Sequence, residues 1–139
     1  MGDTQRKVLS YIAGLGTAFL IVLALEAVLH LVLTMPSGTN LNDAADVDRT
    51  MRAMPVWAFV AMLLIYVIAS FAGGLVAALV SDGSSTRPSI TTGIALTIAG
   101  AANAFSMYHP TWFRVTSLLM YLPFSYLGCL AARGRKARR

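Results

Sequence analysis

The chain has 139 residues, of which 57% are hydrophobic and 12% charged, with a mean hydropathy of +0.68. A single domain of this length cannot bury so much apolar surface in water, which excludes a soluble globular protein and predicts one transmembrane domain over residues 1–139. The net charge of +5 comes mostly from Arg133, Arg135, Lys136, Arg138 and Arg139. Beside an apolar helix such a run reads as an orientation signal able to touch acidic headgroups, so the lipid bilayer is the expected partner and nucleic acid is not. Cys129 is the sole cysteine, which rules out an intrachain disulfide and a thiolate metal cluster.

Crossing the hydrocarbon takes about 20 apolar residues in a helix. The first such stretch, residues 8–33, opens after Arg6 and Lys7 and is stopped by Pro36 and Gly38; it is too long for the apolar core of a secretory signal. Residues 42–54 then predict a short amphipathic helix lying on the membrane surface. Asn42 is its expected cap, and Ala44, Val47, Met51 and Met54 share one face. The second span, residues 56–80, has Pro55 at its first turn and ends at Asp82-Gly83.

A third span is expected over residues 90–108, studded with small side chains, and a fourth over residues 112–132, joined to the third through His109-Pro110. Pro123 should kink this last helix and free the carbonyl of Leu119, for which the hydroxyl of Ser125 is a candidate partner. Residues 133–139 form a basic tail. The resulting expectation is an all-α, four-transmembrane-helix bundle with an amphipathic helix in its first extracytoplasmic loop.

Orientation follows from lysine and arginine placement. Arg6, Lys7, Arg87 and the five tail residues fall on one side, against Arg49, Arg52 and Arg114 on the other, which predicts cytoplasmic termini. Trp57, Tyr108 and Trp112 fall at the outer helix ends, where an interfacial aromatic belt belongs. Close helix approach in lipid depends on small residues, so Ala69, Gly73, Gly74 and Ala77 in the second span and Gly100 and Ala104 in the third are the expected packing positions, and a homo-oligomer is possible.

Glu26 carries the most information, because an acid within an apolar span is costly and persists where it faces a partner or water. His30 lies one turn beyond it on the same face. Counted back from the outer helix ends at roughly 1.5 Å per residue, Glu26 and Asn103 lie at similar depth, with His30 and His109 nearer the rim. Three readings of this cluster compete. In a structural or accessory protein, Glu26 is a neutral acid donating to Asn103 or a backbone carbonyl. In a small proton-linked transporter, Glu26 and His30 form a protonatable pair at the mouth of a pathway. In an intramembrane metal-dependent enzyme, Glu26, His30 and His109 hold a divalent ion such as zinc or iron, with Asn103 behind it or as a fourth ligand. A copper version of that site would enlist Met35, Met51, Met54 and Met107. Tyr66 and Tyr121 read as satisfied hydroxyls and Arg114 as a side chain snorkelling to the headgroups. No phosphate-binding loop, nucleophile elbow or His-Glu-x-x-His motif is present.

Glu26-x-x-x-His30 with Pro36, Phe71-Ala72-Gly73-Gly74, Asn103 with His109-Pro110-Thr111-Trp112-Phe113, Tyr121-x-Pro123 and Tyr126-x-Gly128 together resemble small uncharacterised bacterial four-helix integral membrane proteins. The resemblance covers nearly all of the chain after Val8 and implies a bacterial cytoplasmic (inner) membrane setting, without implying an activity. Small multidrug exporters also carry a glutamate in a first helix. This chain departs from them in its long first connection, in the outer-third depth of its acid and in its His109-Pro110 loop.

Overall fold

The computed structural model describes residues 2–33, 38, 40, 42–82 and 85–137. Met35, Pro36, Gly83, Arg138 and Arg139, to which the sequence assigns roles, lie outside the described residues. The fold is all-helical: α1 Asp3–Val32, α2 Ala44–Ala53, α3 Val56–Val80, α4 Arg87–Ser106 and α5 Thr111–Ala137.

The four-span bundle expected from the sequence is corrected by this structure. Among the described residues three helices, α1, α3 and α5, are long and apolar enough to cross a membrane. The fourth candidate, α4, has 20 residues, but Thr91, Thr92, Thr97, its glycines and Asn103 dilute its apolar character below that of its neighbours. It is held by contacts with α3, α5 and α1.

The boundaries also shift for physical reasons. α1 begins five residues before the apolar run, since Asp3 through Lys7 are helix-compatible and Asp3 suits the positive end of the dipole. α4 starts at Arg87, three residues early, because Pro88 in a first turn gives up an N–H that has no acceptor in the helix. α5 runs through most of the basic tail to Ala137, where Arg135 and Lys136 sit favourably at the negative end. α2 is capped by Asp43, whose carboxylate accepts from the Ala45 N–H at 3.0 Å, rather than by Asn42.

α3 is the central helix, touching α1, α4 and α5, with buried residues around its circumference. Its two adjacent glycines open two different faces. A Cβ on Gly73 would meet the Gly14 carbonyl at 2.8 Å, so α1 and α3 touch main chain to main chain there. A Cβ on Gly74 would collide with the main chain of Ser125, and one on Gly128 with the main chain of Phe71, so α3 and α5 approach equally closely. Ala69, Ala77 and Ala104 are buried, while Gly100 lies against the ring of Tyr121.

Two buried hydroxyls tie these helices across the interior. Ser89 Oγ on α4 donates to the Gly74 carbonyl at 2.8 Å, and Ser125 Oγ on α5 donates to the Ser89 carbonyl at 2.7 Å. Ser125 is therefore committed to α4 and is not the partner of Leu119, although Pro123 does sit inside α5. At one end of the molecule Arg6 pairs with Asp82, and Lys136 donates to the Asp82 carbonyl, drawing the start of α1, the turn after α3 and the end of α5 together. The opposite end gathers the last turns of α1 and α4 and the first turns of α3 and α5, and the polar site lies there.

Candidate functional site

A cavity of about 220 Å³ occupies that end. Its floor is built from α1 and α3. Glu26 is half-buried on α1 and accepts a hydrogen bond at 3.1 Å from the hydroxyl of Tyr66, which is buried on α3. The pairing has a physical reason: a half-buried carboxylate on an apolar helix needs a donor, and a tyrosine reaching from the neighbouring helix supplies one without adding charge. His30 is exposed one turn further on, with Nδ1 2.8 Å from the Glu26 carbonyl; that bond makes Nδ1 the donor and leaves Nε2 free to accept.

His109 comes from the connection between α4 and α5. It is buried, stacked on Phe113 with ring centroids 5.0 Å apart and edge-on to Phe59 at 6.3 Å, and its ring nitrogens engage the carbonyls of Met107 and Ala104. Burial pushes the His109 imidazole below its ordinary pKa of 6.5, and the nearby Arg114 guanidinium acts in the same direction. The two carbonyls and the Glu26 carboxylate oppose that shift. Asn103 lines the cavity from α4 but is exposed, and Glu26 takes its hydrogen bond from Tyr66 rather than from Asn103. α1 and α4 are in direct contact, so Glu26, His30, Asn103 and His109 all face one space.

The roof is α2. This helix turns its apolar side inward: Met51 is buried, Val47 and Met54 pack on the core, and all three line the cavity with Thr50. An amphipathic helix covers whichever apolar surface is nearest, and here that surface is protein. Arg52 fastens the roof by placing its guanidinium 4.2 Å above the Tyr108 ring while pairing with Asp48 at 2.8 Å. The Asp48 bond raises the affinity of Arg52 for its proton.

Four methionines contribute to the walls. Met51, Met54 and Met107 line the cavity with Met62, which sequence reasoning passed over, while Met35 is outside the described residues. Tyr66 was the other omission as a site residue; it lies ten residues into α3 from this end, so depth counting applied to hydroxyls as well as to charges points to it.

Glu26, His30 and His109 share this cavity without being gathered as a three-ligand set. Among the described residues no three His, Cys, Asp or Glu side chains come close enough to hold an ion. His109 is turned to main-chain carbonyls and His30 to its own helix. Arg114 does not simply snorkel: its guanidinium lies 5.6 Å from the Phe105 ring centroid, and its Nε is buried without a hydrogen-bond partner among the described residues. What remains chemically is an acceptor carboxylate with one tyrosine donor, two imidazoles of opposite exposure and a soft apolar wall under a helical cover.

Compared with protein-family models, with curated proteins and with solved structures, the chain matches none of them. Its function is therefore argued from the geometry of this site.

Proposed function

We propose that this membrane protein binds a small apolar cation or amine in the cavity beneath α2, and exchanges it for a proton at Glu26. The observation carrying this reading is Glu26 itself: a half-buried carboxylate on a membrane-crossing helix, facing an open cavity, with one neutral donor and no cation bound to it among the described residues. An acid in that setting marks a solute or proton pathway by default. Methionine walls suit an apolar ligand body of variable shape, and the carboxylate selects positive charge.

The basic end of the molecule, with Arg6, Lys7, Arg87, Arg133, Arg135 and Lys136, faces the cytoplasm of a bacterial cell in this reading, and the cavity faces outward. Equilibrium binding of tetraethylammonium to the detergent-solubilised protein tests the proposal. The expected result is saturable binding that weakens as pH falls and is lost in Glu26→Gln.

A second reading has its own observation. Phe59, Tyr66, His109, Phe113 and Tyr121 form a continuous aromatic cluster around the site, which suits a structural or accessory protein whose polar residues order one end of the helices. Under that reading Glu26→Gln folds normally and no cation binds at any pH.

A further inference from the structure

The opposite end of the molecule holds a second and larger cavity, of about 460 Å³, between the first turns of α1, the turn after α3 and the start of α4. At about 30 Å³ per water it has room for roughly fifteen waters, far more than one hydrated hydroxyl needs. Its charge is lopsided. Arg6 is paired with Asp82, whereas the Lys7 ammonium and the Arg87 guanidinium line the cavity with no ion-pair partner among the described residues. Asp3 is the one acid in the lining besides Asp82. Tyr11 adds a hydroxyl one turn deeper.

The level of this cavity is informative. Lys7 immediately precedes the apolar run of α1, so the cavity sits where hydrocarbon gives way to headgroups. Val8, Leu9 and Ile12, exposed on the other face of α1, belong to the apolar run that follows Lys7. Three cations against two acids, with Lys7 and Arg87 outside any ion pair among the described residues, at the level of the headgroups complement a phosphodiester.

We propose that this cavity binds the headgroup of an anionic phospholipid, with Lys7 and Arg87 as phosphate ligands and Arg6 held in position by Asp82. Basic pockets between membrane helices recognise acidic headgroups through this chemistry. The site is independent of the Glu26 cavity, at the other end of the helices.

Native mass spectrometry of the full chain, incubated with equal amounts of phosphatidylglycerol and phosphatidylcholine, tests it. Wild type should retain one phosphatidylglycerol in preference to phosphatidylcholine by about ten- to thirtyfold, the discrimination two cations supply near a charged surface. Lys7→Gln/Arg87→Gln should bring the preference to within about twofold, while the charge-matched control Arg49→Gln/Arg135→Gln and the conservative pair Lys7→Arg/Arg87→Lys should keep it. Equal retention of both lipids by wild type overturns the proposal. So does an equal loss in the charge-matched control, which would mean diffuse attraction. Displacement of the lipid by millimolar inorganic phosphate would reassign the site to the free anion. Circular dichroism of each variant separates loss of the site from loss of the fold.

Discussion

The bond between Tyr66 and Glu26 joins two helices through one hydroxyl, so its removal has a defined cost. Tyr66→Phe should lower stability by about 0.5–1.5 kcal/mol in a detergent unfolding series. A double-mutant cycle with Glu26→Gln should return a coupling of about 0.6–1.7 kcal/mol, and additive single effects would show that the two side chains do not act together. His109 carries the pH dependence. Its folded pKa lies below that of the unfolded chain because it is buried, so the unfolded state binds more protons as pH falls through 6.5. Stability at this end is therefore complete above pH 6.5 and declines as pH drops below it. Protection factors of α2 and the His109 connection, corrected for the intrinsic pH dependence of exchange, should fall as pH drops from about 7.5 to about 5.5, and the effect should be absent in His109→Gln. Counting from helix ends makes the common depth of Glu26, His30, Asn103 and His109 legible in the sequence. It does not give the direction each side chain takes around its helix, which is why Tyr66 replaces Asn103 as the partner of Glu26.

Among the elements, α3 and α5 depend on glycines in a way that can be separated from glycine content in general. Gly74→Ala places a methyl on the Ser125 main chain, which cannot retreat as a side chain could, and should cost at least the 1–3 kcal/mol typical of overpacking, about the range for an added methylene. Gly16 on α1 has open space around it, so Gly16→Ala should be neutral or stabilising by about 0.5–1 kcal/mol. Thermal unfolding of the two variants side by side checks the contrast, and equal effects would contradict the close α3–α5 approach. The small residues of α3 stand out in the sequence by their spacing. Their partners Gly14, Ala18 and Gly128 do not, because a close approach requires knowing which helices face each other. For α2 the apolar face is legible but not its destination, since amphipathicity is indifferent to whether lipid or protein covers it. Asp43→Ala should loosen this roof by about 0.5–2 kcal/mol, read as faster exchange confined to α2.

At the scale of the whole molecule, hydropathy picks out α1, α3 and α5 as the helices long and apolar enough to cross a membrane. It cannot settle a helix such as α4, whose threonines and small residues are satisfied by its neighbours: Thr92 and Thr97 bond back to their own helix and Ser89 bonds to α3. Nor does hydropathy see the polar ends of α1 and α5, which extend as helix beyond the apolar runs. The two cavities lie at opposite ends of the helices, one acidic and methionine-walled, the other basic. That polarity suits a protein that meets different solutes on its two sides. Glu26 exchanging a proton for a cation is the central claim, and the proton count is its most direct measure. Titrating tetraethylammonium into weakly buffered protein should release protons, up to about one per cation bound as the starting pH is lowered, with no release from Glu26→Gln. Cation binding without proton release, or unchanged release from the Glu26→Gln protein, would contradict it.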